Sequence, residues 1–241
     1  MDQNLSELLD RLDWARSEIR VLQSELKAWV GRSTKVSSGP HELQGFMSII
    51  VEAHEAIPLP VRARAGTTTN EIRACLDGLA STLAERNDQD GAYFPIANHE
   101  EEFTKDARLR KRLAKFTETD RDALLALRPF AVGIDGDPGN LLLYGLHHAD
   151  IRRKHHRLVA KSTGSSIAFR NGNIGSFVPE PAIIKIPGKT RIGRLSDDSW
   201  VTIGFEPLIL YAEPNVLRGR PLVETLYEFA NIAEAAIRTF L

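Results

Sequence analysis

The chain has 241 residues, 26% charged, 42% hydrophobic and 7% aromatic, the composition of an ordinary globular protein rather than a disordered or fibrous one. With 31 basic and 32 acidic residues the formal net charge is −1, so no global field draws the chain to nucleic acid or to an anionic membrane, and any such binding has to be local. The longest run without Asp, Glu, Lys or Arg, Pro138 to Ala149, is 12 residues, short of the roughly 20 apolar residues of a membrane-spanning helix. The opening Met1-Asp2-Gln3-Asn4 does not read as a secretion signal, and a single cysteine, Cys75, excludes an internal disulfide and fits a reducing, cytoplasmic setting.

Leu5, Leu8, Leu12, Ala15, Ile19, Leu22, Leu26 and Trp29 alternate at intervals of three and four, an a/d stripe that predicts one long helix, capped by Asn4 and stopped by Gly31. A stripe of four heptads fits a bundle helix and also suits pairing with a second copy, so a homodimer is expected. Beyond it Leu43 to Val51 reads as a strand or a hairpin of two short strands, followed by Pro58 and Pro60. Thr68 and Glu71 form a capping box that opens a second helix, with Ile72, Leu76, Leu79 and Leu83 on one face.

Asp88 to Asn98 is a turn-rich connection. Glu100 to Phe116 predicts a charged helix whose basic residues, Lys105, Arg108, Arg110, Lys111, Arg112 and Lys115, read mostly as a solvated face. Thr117 caps a short helix that must end by Arg128, because Pro129 follows. Asp135 to Gly139 is a tight turn, after which Leu141 opens a helix reaching about Leu158. From Val159 to Tyr211 short strand candidates, Ala182 to Ile186, Trp200 to Phe205 and Leu208 to Tyr211, join the hairpin signal Asn171-Gly172. A last helix begins at Arg220 with Pro221 in its first turn and presents Leu222, Leu226, Phe229, Ala233 and Ile237. The expected architecture is α+β, a single composite domain over residues 1–241. Its helical bundle comes from about 4–31, 67–158 and 220–241, and one antiparallel sheet comes from about 41–60 and 159–211.

Familiar catalytic signatures are missing. Gly188-Lys189-Thr190 lacks the earlier glycine of a phosphate-binding loop, and no His-Glu pair has the second histidine of a zinc protease. What remains is a cluster: four of the seven histidines lie between His147 and Arg157. At 100° per residue Leu143, Tyr144, His147, Ile151, Lys154, His155 and Leu158 share an arc of about 120°, with Arg152 and His156 opposite. Asp150 borders the arc and can pair with Lys154 one turn on. Arg73 and Asp77, four apart on the second helix, can answer them. Such a set can be a buried network that locks two helices in register. It can also be an acid–base or ligand pocket, or a metal site through His147, Asp150 and His155, for which nothing supplies further ligands. No cofactor and no metal are expected.

The pieces Glu71-Ile72-Arg73-Ala74-Cys75-Leu76-Asp77-Gly78-Leu79, Tyr93-Phe94-Pro95-Ile96, Leu124 to Phe130 and Leu146 to His155, taken in order, resemble a widespread family of uncharacterised bacterial proteins. In that family an Asn-x-x-Arg-x-x-x-Asp helix, a Phe-Pro-Ile and an Asp-x-x-Asp-Lys-His-Arg helix succeed one another. Asn70, Arg73, Leu76, Asp77, Asp150, Lys154 and His155 fall on its positions, while Arg153 and His156 depart from it. The helical core of the family resembles the HEPN class, whose active members are dimeric, metal-independent ribonucleases with an Arg and a His on one helix. The resemblance implies two readings. One is a non-catalytic, self-associating scaffold or interaction module. The other is an RNA-binding or RNA-cleaving defence or stress protein, with His155 or His156 as acid or base and Arg152 on phosphate; a small ligand in the bundle is a third. The spacing of Arg152 and His156 is shorter than that of the active enzymes and favours the scaffold.

Overall fold

A computed structural model describes residues 3–154, 160–172, 177–179, 183–184, 188–196, 201–211 and 215–241. The stripe of leucines forms α1, Gln3–Ser33, and all eight of its residues are buried. Gly31 does not stop it: the helix carries on through Arg32 and the buried Ser33 before the chain turns extended at Thr34. Strands β1 (Thr34–Pro40) and β2 (Phe46–Ala53) make an antiparallel hairpin, of which β2 carries the apolar residues read from the sequence and β1 is largely exposed.

Helix α2 spans Leu59–Glu85, and its N-cap, Pro58, stands ten residues before the Thr68 cap that the capping box suggests. Pro58 stands at the N-cap and Pro60 in the first turn, where a missing N–H costs nothing. Thr68 is an interior buried residue, and Glu71 reaches Arg11 of α1 at 2.6 Å rather than back to a cap. After the connection come β3 (Ala97–His99), α3 (Glu102–Lys105) and α4 (Ala107–Leu113). The single charged helix of the sequence reading is thus split at Asp106, whose extended backbone and carboxylate cap α4 by accepting from the N–H groups of Arg108 and Leu109. Helix α5 (Glu118–Ala126) is capped by Thr117 and ends before Pro129, and Arg128 adopts a left-handed φ of 54°. Strand β4 (Phe130–Val132) pairs in parallel with β3, a pairing with no signature in such short strands, and a turn with Gly136 at φ 80° leads into α6, Leu141–Lys154.

The remaining strands are β5 (Ala160–Gly172), β6 (Phe177–Pro179), β7 (Ile183–Ile184), β8 (Gly188–Ser196) and β9 (Val201–Tyr211), and α7 (Leu222–Arg238) follows. The α+β class is as expected; among the described residues the antiparallel strands pair in two groups, β1-β2-β8-β6 and β7-β5-β9. Each strand has two edges: those of β8 are taken by β2 and β6, and those of β5 by β7 and β9. The two candidates around Pro207 are one continuous strand, which an edge position permits because a proline there lacks no ladder donor that a neighbour needs.

The helices share one core, in which α1 packs on α2 and α7, and α6 on α2 and α7. Gly78 gives Leu8 of α1 room against α2, since a Cβ there would lie 2.7 Å from Leu8 Cδ2. Charged pairs rim the seam: Arg64 with Glu18 and Glu25 across α1 and α2, and Arg16 with Glu234 across α1 and α7. The buried residues of β2 and β8, Ile49, Val51, Ala53, Ile192 and Leu195, stand apart from this cluster. No helix among the described residues is long and apolar enough to cross a membrane. Because Ile19 is fully buried and Val21 is 41% exposed on the same helix, urea unfolding should show Ile19→Ala costing about 2–5 kcal/mol and Val21→Ala under about 0.5.

Candidate functional site

Arg73 and Asp77 lie one turn apart on α2, beside the buried stripe of Ile72, Leu76 and Leu79. Only 5% of Arg73 is exposed. Its Nη1 sits 2.8 Å from Asp77 Oδ1 and its Nη2 donates to the Phe94 carbonyl at 3.1 Å, while the Phe94 N–H donates to Asp77 Oδ1 at 2.9 Å. One side-chain pair thereby satisfies both backbone groups of a fully buried residue. The guanidinium carbon also lies 5.9 Å from the Phe94 ring centroid.

Helix α6 brings the second carboxylate. Its buried face runs through Leu143, Leu146, Ala149 and Asp150, with Tyr144, His147 and His148 half-buried beside it. This face is rotated by roughly a third of a turn from the arc read in the sequence, at 100° per residue. The apolar Leu146 and Ala149 turn inward and carry Asp150 with them, so His147 is left at the margin. Burial lowers the Arg73 pKa, and the charges of Asp77 and then Asp150 act against that loss, which holds the cation in place. Asp150 therefore serves Arg73 across the helix interface.

His147 is pushed down to about 4, first by burial and then by the Arg73 cation and His148, with Asp150 opposing. It is a neutral imidazole at neutral pH, too weakly basic to be matched to acid–base work there. The His147 and His148 rings stand 5.5 Å apart, His148 and Tyr144 4.3 Å, and Tyr144 donates its hydroxyl to Asn98 Oδ1 at 3.0 Å, which ties α6 to β3. Cys75, next to this region on α2, is buried with its thiol pushed up to about 12 by desolvation, so it offers no thiolate.

The structure therefore brings together Arg73, Asp77, His147 and Asp150. Arg152 and Lys154 stand on the last turn of α6 with side chains outside the described residues, and His155 and His156 lie wholly outside them. The Asp150–Lys154 pair and the metal set through His155 fall there too. Sequence reasoning missed the partner that closes the network, the backbone of Phe94. The signal was the Tyr93-Phe94-Pro95-Ile96 motif, noticed there only as a resemblance. Compared with known proteins, the chain matches no family model, no curated protein and no solved structure.

Asp77→Ala removes the partner of a buried cation and should cost about 3 kcal/mol or more in urea unfolding. Asp77→Asn, which keeps an acceptor for the Phe94 N–H, should cost less. His147 adds a pH dependence. The unfolded imidazole takes its proton near 6.5 and the folded one near 4, so the stability it contributes is complete above about 6.5 and is lost as pH falls toward 4. Urea midpoints measured from pH 7 to 4 should fall in the parent and fall less steeply in His147→Gln.

Proposed function

We propose that this chain is a non-catalytic interaction module built on a HEPN-like helical core, in which Arg73, Asp77, His147 and Asp150 hold helices and a connecting segment in register. The observation that carries this reading is Arg73: a buried guanidinium that pairs with a carboxylate one turn away and donates from Nη2 to a backbone carbonyl. A group in that setting fixes structure, whereas an acid–base site needs a titrating group within reach of substrate. The depressed basicity of His147 supports the same reading.

A homodimer belongs to this proposal, but the α1 stripe that suggested it is buried on α2 and α7 of its own chain, so a second copy would use another surface. Light scattering should give about 54 kDa, twice 26.8 kDa; a monomer across micromolar concentrations removes self-association from the proposal. The rival reading, a metal-independent ribonuclease using Arg152, His155 and His156, is tested directly. Mixed-sequence RNA incubated with the protein in EDTA should stay intact. Cleavage that survives EDTA and is lost in a folded His155→Ala or His156→Ala variant would overturn the module.

A further inference from the structure

Six basic residues fall between Lys105 and Lys115, against one acid, Asp106, whose carboxylate is already engaged in capping α4. Leu109 and Leu113 are buried, and this leaves Arg108, Lys111 and Arg112 within an outward arc of about 100°. Among the described residues Arg108, Arg110 and Lys111 make no ion pair, while Arg11, Arg16, Arg64, Arg73, Arg220 and Arg238 each have a carboxylate partner. Asp88 and Asp90, in the turn before Tyr93, form no ion pair with this face either. On a chain of net charge −1 this is a local concentration of positive potential.

Beside it stands Tyr93, 63% exposed, with the Arg112 guanidinium carbon 5.9 Å from its ring centroid. The backbone on either side of this ring is clamped. Lys115 Nζ donates to the carbonyls of Asp90 and, at 2.6 Å, Gly91, and the next residue, Phe94, is gripped by Arg73 and Asp77. A ring presented from fixed backbone loses little freedom when a planar group stacks on it.

We propose that α4 and Tyr93 form a binding face for single-stranded nucleic acid, with phosphates on Arg108, Lys111 and Arg112 and a base stacked on Tyr93. The proposal rests on the reading of the chain as an interaction module and gives that module a partner and a surface. A membrane surface would meet the same charges, but a helix lying in a bilayer interface inserts its apolar face, and the leucines of α4 are buried in the core of the protein. A duplex keeps its bases stacked on one another and leaves Tyr93 no face to cover.

The test is fluorescence anisotropy of the full chain with a labelled single-stranded RNA of about 12 nucleotides, within the site sizes of such binders, between about 50 and 200 mM salt. Binding should weaken steeply with salt. The double variant Arg108→Ala, Lys111→Ala should lower affinity about tenfold at low salt and flatten the log–log salt slope by about 1.4, two contacts at roughly 0.7 each. Tyr93→Ala should lower affinity about tenfold with the slope unchanged, and Tyr93→Phe should retain it. All these side chains are outward, so melting followed by circular dichroism should match the parent. The proposal is overturned by absence of binding, by variants that bind like the parent, by equal binding of the corresponding duplex, or by capture on phosphatidylserine vesicles in place of the strand. The module reading fails separately, on cleavage in EDTA.

Discussion

A guanidinium taken out of water costs several kcal/mol unless protein groups replace its hydration in good geometry. Arg73 imposes that condition on the helical half of this protein. Helix α2 must offer Asp77 one turn on, the segment after it must bend back until the Phe94 carbonyl arrives, and α6 must bring Asp150 close enough for its charge to be felt. Three separate stretches of chain are thereby placed by one side chain. Burial is the main reason that His147 stays neutral, and the Arg73 cation adds to it, since a second cation there would undo what the two carboxylates achieve.

Around that polar centre the apolar packing is ordinary and extensive. Helix α1 lays its whole stripe on α2 and α7, and α6 closes the remaining side. The charged partners at the seam, Arg11 with Glu71, Arg64 with Glu18 and Glu25, and Arg16 with Glu234, are partly exposed. They select the pairing of the helices more than they stabilise it.

Where a residue's role is decided by local period, the sequence already shows it. The eight positions of α1, the five of α7, the Thr117 cap and the stop before Pro129 all sit where spacing and capping chemistry place them. Where the role depends on a distant partner, the sequence misleads. Thr68 and Glu71 have the form of a cap, yet Arg11 claims the glutamate and Pro58 starts the helix. The polar residues of α6 fit an inward arc with His147 at its middle, but Leu146 and Ala149 find the core of α2 and α7 and rotate the helix. Arg73 and Asp77 are legible as a pair four apart. That they close on the backbone of Phe94, 17 residues beyond Asp77, is a tertiary fact, as is the pairing of the described antiparallel strands in two groups.

The placement of α7 bears on how the chain is made. Arg16 and its partner Glu234 are 218 residues apart in sequence, and the face of α1 that they border has no lasting cover until α7 exists. A ribosome delivers residues at about 5–20 per second, so the oily side of the first helix stays half-dressed for on the order of ten seconds or more of synthesis. During that interval α2 is the neighbour that can shield it, and a nascent chain cut short before α7 would expose a leucine seam to every other chain in the same condition. Helix α7 acts as the latch on α1, and its emergence, rather than collapse of the N-terminal half, is the moment at which the bundle becomes safe from aggregation.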